Sequence, residues 1–181
     1  GPLQIALRDF SSASDVPLSR LLAGTIHDAD WVQLAATAGK LYALPIWAAF
    51  SAFDVRQIER VIDDMVQRLG VELIICDYLQ LERIGDHEGT REQEVSAISK
   101  MHKRKAQQHG VPNVVISSLN RALANRPDKR PTTSDLRESG SIEYDADVIL
   151  FVYRDEVFNC KCPPDRECLC DRRGKAEIIV A

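Results

Sequence analysis

Several short stretches of this chain carry more chemistry than a core or a plain surface needs. "LIICD" ends at Asp77, an acid placed directly after four apolar residues. An acid at the carboxyl end of a buried strand can hold Mg²⁺ beside a nucleotide. It can equally satisfy backbone amides at a strand end. "SSLNR" (Ser117–Arg121) puts small polar side chains after a second apolar run, where they could touch a phosphate or serve only as strand-to-loop chemistry. Arg121, Arg126, Lys129, Arg130 and Arg137 follow within one polar stretch. Such cations suit a phosphate backbone, or simply a solvated loop. "DLRESGSIEYDADVIL" (Asp135–Leu150) then packs charge and small residues against the next apolar run.

A fifth stretch, "CKCPPDRECLC", places Cys160, Cys162, Cys168 and Cys170 as C-x-C-x₅-C-x-C. Four thiolates this close can build a tetrahedral Zn²⁺ site. One intervening residue per pair is not a standard zinc-ribbon spacing, so free thiols and a disulfide stay open as alternatives. Cys76 reads as a small buried hydrophobe within a strand.

The elements that must position these groups follow from periodicity. Val16–Gly24 reads as a short helix, and His27–Leu44 as a longer one with Asp28 as cap and Trp31, Leu34, Ala35, Ala38, Leu41 and Tyr42 on one face. Ile46–Phe50 suggests a short strand. Asp54–Gly70 is the clearest helix: Asp54 can cap it, Val55, Ile58, Val61, Ile62, Met65 and Leu69 form a stripe, and Gly70 ends it. Val71–Leu81 is a nearly continuous apolar strand, and Glu82–Thr90 a loop. Arg91–His109 is a helix with a thin stripe at Val95, Ile98 and Met101. Its basic half, with His102, Lys103, Arg104 and Lys105, reads as a solvated face. Strands are expected within Val111–Asn120, at Val148–Tyr153 and at Ala176–Val180. Strand, helix and strand in this order predict an α/β fold with a mostly parallel sheet flanked by helices.

The chain has 181 residues, 45% hydrophobic and 28% charged, with a net charge of -4. That suits one globular domain, with residues 157–174 as a cysteine-rich insertion. No apolar run is long enough for a transmembrane helix. The acidic balance argues against a broad nucleic-acid-coating surface, not against a local basic channel. Gly1 and Pro2 read as the remnant of a removed tag, and the terminal "KAEIIVA" reads as a strand with nothing after it. A piece of a longer protein, cut at both ends, is expected.

Taken together, these segments resemble the C-terminal motor domain of the DnaB family of replicative DNA helicases. "DYLQL" (Asp77–Leu81) resembles that family's Walker B strand, "SSLNR" its "SQLNR" motif, and Arg126–Glu156 a long family signature nearly residue for residue. "AEIIVA" resembles the strand before its "KQRNG" motif, and Leu21–Trp31 its helical linker. The resemblance implies a RecA-like fold, ATP and Mg²⁺ as cofactors, and a hexameric ring moving 5′ to 3′ on single-stranded DNA. It implies a cytoplasmic location in a bacterial, plasmid or phage replisome, with primase and a loader as further partners. Asp77 would hold Mg²⁺ with the nucleotide, Ser118 would stand near the γ-phosphate, and Arg137, Glu138 and Gly140 would form the DNA-holding loop.

Departures from the family pattern set further expectations. No G-x-x-x-x-G-K-S/T loop is present, and neither the family's catalytic Glu nor its arginine finger has a match. The chain alone is therefore expected to be inactive and not to form a stable hexamer. Ser118 stands where the family has Gln, so it would reach a phosphate only through water. A non-enzymatic motor-like domain that binds DNA or a helicase is the alternative.

Overall fold

The computed structural model describes residues 1–136, 140–159, 171 and 173–181. The chain divides into two compact units, Gly1–Ser51 and Ala52–Ala181.

The first unit holds three helices: α1 (Pro2–Ser14), α2 (Leu18–Ala23) and α3 (Asp28–Tyr42). Pro2 is the first residue of α1, where its missing N–H costs nothing. Gly24 ends α2 with φ 68, a conformation that favours glycine. His27, not Asp28, is the N-cap of α3; the carboxylate that meets its backbone N–H belongs to Asp30, at 3.0 Å. Asp30 also pairs with Arg20 at 3.2 Å. The buried face of α3 is Asp30, Leu34 and Thr37, while Trp31 and Tyr42 lie exposed. The polar residues of this helix, not its aromatics, do much of the inward packing. No strand forms over Ile46–Phe50.

The second unit carries the sheet ladders. Helix α4 (Val55–Leu69) is capped by Asp54, whose carboxylate accepts from Arg56 N at 2.9 Å, and closed by Gly70 at φ 66. Its inward residues Ile58 and Ile62 pack with Ile74 and Met101. Strand β1 (Ile74–Cys76) pairs in parallel with β2 (Asn113–Val115), with Ile75 opposite Val114. Helix α5 (Arg91–His109) is the crossover between them. A capping box starts it, with Thr90 Oγ1 accepting from Gln93 N and Gln93 Oε1 accepting from Thr90 N, and Gly110 ends it at φ 64. Val95, Ile98 and Leu79 form its second core cluster.

Both central strands are shorter than the apolar runs that encode them. After Cys76 the chain leaves the ladder at Asp77, and Leu79–Leu81 winds into a 3-10 turn that buries Leu79. Pairing continues only through single bonds, such as Leu79 N to Ile116 O at 2.9 Å. The long polar segment after β2 contains 3-10 turns at Arg121–Asn125 and Thr133–Asp135. Helix α6 (Ser141–Asp145), strand β3 (Leu150–Tyr153), helix α7 (Asp155–Asn159) and strand β4 (Glu177–Val180) complete the described elements. β3 and β4 are antiparallel, so the described strands form two two-stranded sheets, one parallel and one antiparallel.

The basic half of α5 departs most from the expected solvated face. His102 and Lys105 are buried, while Arg104 is exposed. Positions 95, 98, 102, 105 and 109 continue the helical spacing of the apolar stripe. The core face therefore runs the whole length of α5, and partners from other elements neutralise its polar end. Lys105 Nζ donates to both Asp63 oxygens at 2.8 Å, and His109 Nε2 lies 2.6 Å from Asp63 Oδ1.

Candidate nucleotide and DNA site

Ligands of open α/β sheets sit beyond the carboxyl ends of the strands. Here those ends are the segments after Cys76 and Val115. Asp77 is exposed there, and its peptide bond to Tyr78 is cis. Beside it lies an open cleft of about 500 Å³ lined by Tyr78, Gln80, Arg83, Arg91, Ser118 and Arg121 among others.

Gln80 joins the two strand ends. Its Nε2 donates to Ser117 Oγ at 2.9 Å, and its Oε1 accepts from Ser118 N at 3.1 Å. The segment after β1 thus sets the position of Ser118 through one amide side chain. Arg83 and Arg91 hold the 3-10 turn: Arg83 Nη1 donates to Gln80 O and Glu82 O at 2.9 Å, and Arg91 Nη2 donates to Gln80 O at 3.0 Å. Glu94 pairs with Arg91 and accepts from Ile84 N at 2.7 Å. Burial opposes ionisation of Glu94, but the Ile84 amide and the Arg91 guanidinium outweigh it and hold the carboxyl below the usual range. Arg121 differs from both arginines. It lines the cleft and has no hydrogen-bond or ion-pair partner among the described residues.

Three of the expected phosphate-binding cations are occupied within the chain. Arg126 pairs with Asp135 at 3.0 Å, and Lys129 donates to Ala124 O at 2.5 Å. Arg130 grips both oxygens of Glu177 at 2.8 and 2.9 Å, and its guanidinium stacks over Tyr153. These contacts shape the loop, and among the described cations of that stretch Arg121 is the one that lines the cleft.

The Asp135 segment is fastened to the strand end. Asn120 N donates to Asp135 O at 2.7 Å, and Leu119 and Leu136 form an antiparallel bridge. Asp135 is buried; burial raises its pKa, but the Thr132 amide and hydroxyl and the Arg126 charge prevail and keep it low. Arg137 and Glu138 lie outside the described residues, as do Cys160, Cys162, Cys168 and Cys170. Gly140 is described: it precedes α6 with φ -65, and a Cβ there would meet nothing within 4 Å. Among the described residues, neither backbone strain nor a close approach explains this glycine.

Gln80 and the Leu119–Leu136 bridge are what residue-by-residue reading does not show, and it does not separate Arg121 from the cations that follow it. Gln80 was visible only as part of a motif, because its partners lie far along the chain.

A β-α-β unit with an acid after its first strand, a polar loop after its second and a cation-lined cleft beyond both is the arrangement of a RecA-like ATPase motor domain. The DnaB-like helicase C terminal domain family matches residues 2–181, and the chain belongs to that family. It is 38% identical over 182 residues to the replicative DNA helicase DnaB of Leifsonia xyli subsp. xyli, covering 100% of this chain and 38% of that protein. The corresponding helicase of Buchnera aphidicola subsp. Schizaphis graminum is also 38% identical over 182 residues, with 98% of this chain and 37% of that protein covered. The chain therefore spans well under half the length of these curated relatives. A solved DnaB-like replicative helicase, described with its interactions with primase, superposes with a TM-score of 0.82 at 27% identity, covering 99% of this chain and 45% of that one. A solved ATPase domain gives the same TM-score and identity, with 66% of its own chain covered. Among the described residues, no helix is long and apolar enough to cross a membrane.

Proposed function

We propose that this chain is the part of an ATP-dependent replicative DNA helicase motor that links the nucleotide acid to the DNA-holding loop. The observation that carries the reading is the fastening of Asp135–Leu136 to Leu119–Asn120. One rigid connection runs from the strand end beside the cleft into the segment that leads to Arg137. A shift of Ser118 on loss of a phosphate would be passed to that segment through a hydrogen bond and a strand bridge.

The donor set suits the implied cation. Asp77 is exposed, and Ser117 and Ser118 add hydroxyl oxygens nearby; hard oxygens are what Mg²⁺ takes while keeping most of its waters. When bound, Mg²⁺ neutralises charge on the phosphates of ATP. Asp77 would hold that cation, Arg121 would face the phosphates, and Ser118 would sense the terminal one through water. Arg137 would pair with the backbone of single-stranded DNA, while Glu138 and Gly140 shape the loop. Gly140, Ser141 and Lys100 line a hollow of about 390 Å³ beside α5. The motor would work as a homo-hexamer moving 5′ to 3′, with primase and a loader as partners.

The test uses the full-length parent protein. Asp77→Asn should lower DNA-stimulated ATP hydrolysis by about 10²-fold or more, with the fold retained. Wild-type protein that binds DNA but neither hydrolyses ATP nor unwinds a forked duplex would instead establish the non-enzymatic reading.

A further inference from the structure

His102 is 3% exposed, on the buried face of α5 where the apolar stripe of Val95, Ile98 and Met101 gives way to Lys105. Its ring is held on both edges. Nε2 lies 2.8 and 3.0 Å from the two oxygens of buried Glu82. Nδ1 lies 2.9 Å from Asn113 Nδ2 and 4.0 Å from Cys76 Sγ. Asn113 Oδ1 is 3.9 Å from the same sulfur. Ligand atoms of Cys76, Glu82 and His102 all fall within 4.8 Å of one another.

Four separate parts of the unit deliver these groups. Cys76 closes β1, Glu82 follows the 3-10 turn, His102 comes from α5 and Asn113 opens β2. Ile74 pairs with Asn113 and Cys76 with Val115, so Cys76 and Asn113 lie two steps apart and share one face of the ladder. The nucleotide cleft uses none of the four. Ile74 and Met101 pack nearby, so a thiol, an amide, an imidazole and a carboxylate are gathered at the edge of an apolar cluster, where each can stay only with a polar partner.

The tautomer follows from the partners. An ionised Glu82 can only accept, so Nε2 carries the hydrogen and Nδ1 turns its lone pair toward Cys76 and Asn113. A carboxylate behind the ring is how metal-binding imidazoles are oriented and made more basic.

We propose that Cys76 Sγ, His102 Nδ1 and Asn113 Oδ1, with Glu82 behind the imidazole, form a mononuclear site for a borderline-soft divalent cation of the zinc class. Bond lengths of about 2.3 Å to sulfur and 2.0–2.1 Å to nitrogen place those atoms roughly 3.5 Å apart in a tetrahedron. The present 4.0 Å separation needs only a small closure. The cation takes the lone pair that Asn113 Nδ2 now fills, and the amide turns its oxygen inward. Cys76 and Asn113 are half-buried, which leaves a path for entry and a fourth position for water. Without a cation, burial and then the Glu82 charge push the Cys76 thiol up to about 12. Binding forms the metal–sulfur bond and releases that thiol proton to solvent. Occupancy would tie β1, β2 and α5 together one residue before Asp77.

The test is a Co²⁺ titration of the whole chain carrying Ser at positions 160, 162, 168 and 170, which removes every other thiol. One equivalent should bind, with a single thiolate-to-cobalt charge-transfer band that Zn²⁺ abolishes. The further substitution Cys76→Ser should remove the band while the circular dichroism spectrum is kept. Glu82→Gln should keep the band and weaken Co²⁺ affinity 10–100-fold, a graded loss that does not depend on the behaviour of Cys76→Ser. Absence of the band at excess Co²⁺, or an affinity unchanged in Glu82→Gln, overturns the proposal.

Discussion

Asp63 joins α4 to α5, and its removal should expose how the polar end of α5 is held. Lys105 Nζ is 2.8 Å from both Asp63 oxygens, and the Lys105 side chain is 9% exposed against 32% for Asp63. Breaking a fully buried pair from one side costs about 3–5 kcal/mol, because the other charge is left in a poor solvent. Water reaches Asp63, so Asp63→Asn should cost less, about 2–3 kcal/mol. Lys105→Met removes the desolvated charge and keeps the apolar stem packed; Asp63 retains His109 and water, so the cost should be about 0–1 kcal/mol. The double variant should resemble Lys105→Met, giving a coupling of about 2–3 kcal/mol, the whole cost of Asp63→Asn. Urea unfolding followed by far-UV circular dichroism measures all three. The Lys105 hydrogen bond, against the cost of burial, holds the Asp63 carboxyl below its ordinary range. A depressed carboxylate stabilises the fold above its unfolded pKa of about 4 and loses that contribution as pH falls through the folded value. The wild-type midpoint should therefore drop on acidification more steeply than that of Asp63→Asn. Equal costs for Asp63→Asn and Lys105→Met, or parallel pH profiles, would refute the reasoning.

Asp135→Asn removes the charge that Arg126 faces and weakens the acceptor of the Thr132 amide and hydroxyl; thermal stability should fall by about 1–3 kcal/mol, read by calorimetry. Gln80→Ala deletes both hydrogen bonds between the strand ends, and DNA stimulation of ATP hydrolysis in the full-length protein should fall more than the unstimulated rate. Gly140→Ala should leave the unfolding midpoint unchanged, since its φ suits any residue and its surroundings are open, while single-stranded DNA affinity measured by fluorescence anisotropy should weaken if a backbone approaches there.

The helices α4 and α5 were legible in the sequence because their signals are local. A cap, a stripe at 3.6-residue spacing and a closing glycine act within a few residues, and the structure places Asp54, Gly70, Thr90 and Gly110 at the helix ends. The family signature was legible for the same reason: it is a contiguous string. Tertiary structure alone decided what depends on partners far along the chain. It ended β1 at Cys76, where pairing with β2 runs out, although the apolar run continues to Leu81. It made β3 and β4 antiparallel, a choice no single strand encodes. It turned Arg126 and Arg130 into structural ions by supplying Asp135 and Glu177. Above all it buried His102 and Lys105. Side-chain type suggested solvent and helical spacing indicated the core, and only Glu82 and Asp63, brought in by other segments, could make the spacing prevail.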